Sequence, residues 1–403
     1  MDRPRARVLA PLLVAVFINI AGFSLILPLL PFYGQVFGAR PFEIALLFAA
    51  YSFGNVFGEI YWGRQSDSWG RRKVLMITTF IAGLSYFAFA WAPGLWAAIG
   101  IRVVSGFFSG TLSVCQGFIA DVSAPEQRAK TMGYFGAAFS IGIAAGPVLG
   151  GLAAGEDVAA ASFRLPIYIA GVLSILASAW CALVLRDAVV PRGRGAPLPR
   201  YSDAFRFVSS EPLLARLFVI SFFGIAAFAS MEAIYGLWSE RNFGWSAHDL
   251  GLAFLAIGGG GLLSQLVLIG PLVHRFGEAR VIVIGLTLLA VSMLLQPLIR
   301  MPISGVLLMG MLMTGHSLAF PSAGALLSRE TPPERQGSTM GLLMASNAVG
   351  RIVAPPLFGL IYGKIAFDAP WYAGAAMIAV AAVVALQAVR LLDARRAAAR
   401  AAV

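Results

Sequence analysis

Charge is what this chain has least of. Only 12% of its 403 residues are Asp, Glu, Lys or Arg, about half the share of a water-facing domain, which excludes a large soluble enzyme domain. Its two cysteines, Cys115 and Cys181, both lie inside apolar runs; they are too few for a disulfide framework and are expected to be free thiols. With three histidines and no Ser/His/Asp set, the sequence offers neither a metal-spaced cluster nor a catalytic constellation. An intramembrane enzyme therefore finds no support, and no metal or cofactor is expected. No G-x-x-x-x-G-K-[ST] loop occurs, which argues against drive by ATP. Lys and Arg outnumber Asp and Glu by 30 to 19, yet they lie between apolar segments and not in one patch with surface aromatics. That arrangement points to a lipid boundary and not to nucleic acid.

What fills the chain is apolar sequence, 59% of all residues. The run 8–30 follows a basic N-terminus, but it is too long for a secretory signal and lacks a small-residue cleavage site, so it reads as an uncleaved first span. Further spans are expected at about 42–63, 74–92, 95–120, 131–155, 164–185, 213–238, 248–270, 280–299, 303–328, 337–363 and 370–393. The runs are continuous and not alternating, which selects helices over a barrel. The expected class is an all-α membrane protein with twelve transmembrane helices. Of the 30 Lys and Arg residues, 23 fall in the termini and every second loop and five in the other loops. Both termini are therefore expected in the cytoplasm.

One long hydrophilic stretch, with PRGRGAPLPR at 191–200, divides six spans from six. The expected organisation is a bundle at 1–186, a cytoplasmic linker at 187–212 and a second bundle at 213–403. The halves repeat: PEQRAKTMG at 125–133 aligns with PERQGSTMG at 333–341, Pro147 with Pro355, and Gly151 with Gly359, while Gly63 and Gly70 recur one residue out of that register as Gly270 and Gly277. A parallel duplication of this kind predicts two related six-helix bundles around a central cavity.

Four motifs carry a family resemblance. They are GRQSDSWGRRK at 63–73, Gly22 with Pro28 and Pro31, Arg102 with Gly106 and Gly110, and Gly142, Gly146, Pro147, Gly150 and Gly151 in span 5. Together they resemble the major facilitator superfamily, and the span 5 pattern resembles its twelve-span drug:proton antiporter branch. Phe243 to Ala247, and the run from Leu326 through Gly337, look like tetracycline-resistance and multidrug pumps. The resemblance implies a monomeric secondary transporter in a bacterial inner membrane, exporting small amphipathic compounds against a proton gradient. Uptake of a nutrient, movement of a lysolipid, and a non-transporting receptor are the alternatives.

Each motif also has a physical reading. Gly63 and Gly70 permit tight turns, and Asp67 can face the unpaired first amides of span 11. The resemblance implies a charge relay of Asp67, Arg71 and Asp121; the alternative is that Arg71, Arg72 and Lys73 anchor the loop at anionic headgroups. Gln65 and Ser68 depart from the usual pattern. The span 5 glycines allow close helix packing, and the resemblance implies a seal and hinge there. In span 4, Arg102, Ser105, Ser109, Ser113 and Gln116 share one face over about 21 Å of helix. Arg102 is implied in proton transfer, with bonding to carbonyls of span 1 as the alternative. Glu232 is the acid deepest in an apolar span, where desolvation favours a neutral carboxyl; it is the candidate for proton coupling, unless Arg102 or Arg351 holds it in a static pair. Asn19 stands where tetracycline pumps have an aspartate, and spans 3 and 9 carry no acid, which weighs against metal-tetracycline as cargo. Tyr51, Asn55, Gln265 and His316 complete the expected cavity, His316 as a titrating group or as a histidine bonded between helices. Phe222, Phe223, Phe228, Tyr235 and Trp238 are candidates for an aromatic wall.

Overall fold

The computed structural model describes residues 3–122, 125–154, 160–185 and 201–401. Every regular element among them is a helix, and twelve stretches are long and apolar enough to cross a membrane. The first half contains α1 (Arg3–Leu25), α2 (Leu30–Val36), α3 (Pro41–Trp69), α4 (Arg71–Ala90), α5 (Leu95–Phe107), α6 (Thr111–Val122), α7 (Pro125–Ala153) and α8 (Ala160–Val184). The second contains α9 (Tyr201–Ser210), α10 (Pro212–Phe243), α11 (Ala247–Leu263), α12 (Ile269–Phe276), α13 (Glu278–Leu295), α14 (Pro302–Glu330), α15 (Pro333–Lys364) and α16 (Ala369–Ala401). Most of the expected linker, 187–200, lies outside the described residues; its last part is the helix α9.

Three spans expected as single helices are interrupted. In span 1, Pro28 and Pro31 supply no backbone donor, and the chain tightens into a 3₁₀ turn at Leu27–Leu29 before α2 restarts. Span 4 breaks at 108–110, between α5 and α6, so its polar residues do not form one continuous face. Span 8 changes to a π-helical segment at Ser264–Leu268, where the Ser264 hydroxyl donates to Gly260 O (2.7 Å) and to Thr314 Oγ1 (3.0 Å). Hydropathy does not register such breaks, because each keeps its span apolar.

The internal repeat is visible in the backbone. Gly70 (φ 91°) separates α3 from α4, and Gly277 (φ 78°) separates α12 from α13. Gly38 (φ 65°) precedes α3 and Gly244 (φ 68°) precedes α11, a second matched pair that the sequence alignment did not include. Positive φ costs little only without a Cβ, so these positions demand glycine. Gly63, expected at a turn, is instead helical within α3 and faces Ser113.

The chain divides into two compact units, Met1–Ala196 with Ser239–Leu255, and Pro197–Trp238 with Ala256–Val403. In the first, α1 packs on α7 and α8, α3 on α5 and α6, and α4 on α8. In the second, α13 packs on α14 and α16.

Candidate functional site

At the α3–α4 turn the structure brings Asp67, Arg71 and Asp121 together. Gly70 turns the chain so that Arg71 begins α4 one turn beyond Asp67, and its guanidinium reaches Asp67 Oδ1 at 2.6 Å and Asp121 Oδ2 at 3.2 Å. Arg71 also donates to the Ser66 hydroxyl. Asp121 is covered to 9% exposure and Arg71 to 13%, a setting in which their ion pair exceeds the small worth of surface pairs, whereas Asp67 is exposed. Arg72 donates to the carbonyls of Cys181 (3.4 Å) and Ala182, at the C-terminal turn of α8. Arg71 and Arg72 thus bind protein groups, and Lys73 lies over the Trp69 ring.

Gly117, which sequence reasoning passed over, makes room for this triad. A Cβ there would sit 2.7 Å from the Arg71 guanidinium carbon. Its position one turn before Asp121 was the available signal. Gly117→Leu is expected to push Arg71 off Asp121 and to lower transport at unchanged expression, as Arg71→Ala would; a fully active Gly117→Leu variant would show that the geometry is not needed.

Deeper in the same unit, Arg102 on α5 is 1% exposed. Its Nε donates to Leu47 O at 3.2 Å, and its guanidinium lies 4.6 Å from the Tyr51 ring centroid. These partners belong to α3, in span 2. Tyr51 stacks in turn on Phe23 at 4.6 Å. Asn55 donates to Ser109 Oγ (3.1 Å), the Thr111 hydroxyl to Asn19 Oδ1 (3.4 Å), and the Ser85 and Ser105 hydroxyls pair at 2.7 Å. Tyr51, Asn55, Arg102 and Ser109 therefore form one polar cluster, with Asn19 reaching α6 through Thr111. Gln116 is exposed on α6. The cluster depends on close approach of α3 to α5 and α6. Built Cβ atoms at Gly54, Gly58, Gly106 and Gly110 would all overlap the backbone of the facing helix.

Along α7, Gly142, Gly146 and Gly150 face α1. A Cβ at Gly142 would stand 3.0 Å from Ile20; one at Gly146 would overlap Ser24 and lie 2.6 Å from Ala21 O; one at Gly150 would overlap Leu25 O. Ser24 Oγ donates to Gly142 O at 2.9 Å across this seam. Gly151, one residue on, meets Gly251 of α11 backbone to backbone, and His248 Nδ1 lies 3.1 Å from Gly151 O. Pro147 sits inside an unbroken α7.

In the second unit, Glu232 lies on α10, one turn after Phe228, whose ring lies tilted against that of His316 at 4.0 Å. Phe320 covers another side of His316 at 4.4 Å, and His316 Nε2 is buried without a hydrogen-bond partner. Aromatic rings thus flank His316 on two sides. Gln265 falls in the π-helical segment and Arg351 on α15, half-buried. Tyr235 and Trp238 do not form a binding wall. Both are fully buried, Tyr235 donating to Gly305 O (3.1 Å) and Trp238 to Asp368 Oδ1 (2.8 Å), and both rings pack on Trp371.

The family model described as Major Facilitator Superfamily matches residues 12–240 and 224–402. The chain belongs to that superfamily. It is a multi-pass integral membrane transporter of small molecules. A tetracycline resistance protein (class C) of Escherichia coli is 29% identical over 78% of this chain and 79% of its own length. The quinolone resistance protein NorA of Staphylococcus aureus is 26% identical over 89% of this chain and 90% of its own. The crystal structure of the nucleoside transporter NupG superposes with a TM-score of 0.74 at 17% identity, covering 94% of this chain and 98% of that one, a likeness of fold.

Proposed function

We propose that this transporter exports small amphipathic compounds in exchange for protons. It works by alternating access between bundles at 1–186 and 213–403 joined by the 187–212 linker. The proton gradient is its energy source, it needs no cofactor, and it acts as a monomer in a bacterial inner membrane with both termini in the cytoplasm. The observation that carries this reading is the α1–α7 seam. Gly142, Gly146 and Gly150 bring two helices into backbone contact, leaving little room for water and hence for proton leak. Exchange against a gradient requires such tightness. The drug-resistance relatives support the class of cargo. In this reading Asp67, Arg71 and Asp121 latch one state, Arg102 and Glu232 serve proton coupling, and Tyr51, Asn55, Ser109, Gln265, His316 and Arg351 stand near the substrate path.

Inverted membrane vesicles test the proposal. Acidifying their interior should drive accumulation of an amphipathic fluorescent dye, and a protonophore should abolish it. Accumulation indifferent to the pH difference would reject proton exchange. Topology is tested separately by cysteines at Arg194 and at exposed Ala366: a membrane-impermeant maleimide should label only the second from outside intact cells. Labelling of both would overturn the orientation.

A further inference from the structure

The interrupted span 4 has a consequence at Glu59, a residue the proposed mechanism leaves unused. Where α5 stops and α6 restarts, the first amides of α6 have no partner in their own helix. Glu59 of α3 fills that place: its Oε2 accepts the Ser113 backbone N–H at 2.8 Å, and the Ser113 hydroxyl donates to Glu59 O at 3.2 Å. The other carboxyl oxygen, Oε1, is buried and has no hydrogen-bond partner.

The spacing ties this contact to the charged triad. Glu59 precedes Asp67 by eight residues on α3, and Ser113 precedes Asp121 by eight on α6. Eight residues of helix rise about 12 Å on each side. The two helices are therefore joined by two rungs at matched separation: Glu59 to the Ser113 amide, and Asp67 through Arg71 to Asp121. Gly63 opposite Ser113 and Gly117 opposite Arg71 keep the helices close between the rungs.

We propose that Glu59 is a second proton-binding site, whose protonation loosens α6 from α3 and so weakens the hold of Asp121 on Arg71. An ionised carboxylate is the stronger acceptor at a helix N-terminus, where the amides carry partial positive charge. A proton taken up on Oε1 neutralises the group without breaking any covalent bond, and the upper rung weakens to an ordinary neutral hydrogen bond. The occupant is a proton because Oε1 is buried between closely packed helices, where Gly58 and Gly110 meet backbone to backbone. Among the described residues, the titratable groups that interact electrostatically with Glu59 are Tyr51 on its own helix and Cys115 on α6. Arg71 is engaged by Asp67 and Asp121, and Arg102 by Leu47 O and Tyr51; among the described residues no salt bridge reaches Glu59.

This inference rests on the proton-driven reading for its physiological meaning, but its test needs neither substrate nor gradient. Amide hydrogen exchange of the full chain in lipid nanodiscs is followed from about pH 8 to about pH 5, across the range where perturbed carboxyls titrate. After correction for the intrinsic pH dependence of exchange, protection of the first turn of α6 should fall roughly tenfold on acidification, the ratio that about 1.4 kcal/mol represents, while α5 stays constant. Glu59→Gln, which retains an acceptor oxygen and nearly the same volume, should show the low protection at every pH. Wild-type protection independent of pH would overturn the proposal whether or not Glu59→Gln folds, as would a variant that follows the wild-type profile. Transport that fails with the pH response intact would instead count against the exporter reading alone.

Discussion

Valine at Gly146 is expected to leave little folded protein after solubilisation. A Cβ there would lie 2.6 Å from both Ala21 O and Leu25 N and would overlap the Ser24 hydroxyl. A serine side chain can rotate away, at the cost of its bond to Gly142 O. The backbone atoms cannot, so α1 and α7 must separate along the seam. Overpacking of this kind costs about 3 kcal/mol or more when backbone has to move, a large fraction of what holds a domain together. Alanine at Gly142, where the built Cβ stands 3.0 Å from Ile20 and 3.1 Å from Phe17 O, should cost only roughly 1 kcal/mol. The ranking separates two ideas about these glycines. If they act by close packing, retention of a monodisperse peak after heating should fall from wild type to Gly142→Ala to Gly146→Ala to Gly146→Val. If they act chiefly as a flexible hinge, alanine at either position would impair transport alike and leave heat resistance unchanged. A Gly146→Val protein as heat-resistant as wild type would remove the packing argument.

What the sequence made legible was the part governed by local composition. Twelve apolar runs gave the spans, and the repeat paired Gly70 with Gly277, both of which adopt positive φ. The triad was legible as well, because the resemblance names its three residues and the structure brings them together at 2.6 and 3.2 Å. What escaped were features created by one helix meeting another. Nothing in 95–120 reveals that span 4 breaks, since Ser109 and Gly110 are as compatible with a helix as with a turn. Once it does break, Glu59 acquires an amide to hold and the serine stripe loses its continuity. The π-helical segment at Gln265 is hidden for the same reason. Aromatic composition likewise showed that α10 is rich in rings but not which way they point. Tyr235 and Trp238 turn into the packing of their own unit because Gly305 O and Asp368 satisfy their polar atoms there. Asp368 also pairs with Arg300 at 2.5 Å, so that group fixes helix ends, whereas Phe228 and Glu232 share a face of α10 one turn apart, with His316 of α14 against Phe228.

That face carries the last expectation. Glu232→Gln should still bind and exchange substrate, yet lose accumulation driven by a pH difference. Glutamine keeps the size and an acceptor oxygen of glutamate but fixes the neutral form, so any step that needs the residue to gain and lose a proton stops, while substrate contacts stay. For a neutral substrate exchanged against one proton, each unit of pH difference can sustain about a tenfold concentration ratio, equivalent to about 1.4 kcal/mol. The expected ratio in the variant is close to one, a loss that grows tenfold with every further unit imposed. Counterflow of preloaded substrate in proteoliposomes supplies the control, because it requires binding and the inward–outward transition but no net proton movement. Counterflow retained with accumulation lost assigns the coupling proton to Glu232. Loss of both would show that the carboxylate serves binding or folding instead, and full accumulation by the variant would move the assignment to His316, whose buried Nε2 lies in the ring cluster that begins one turn away at Phe228.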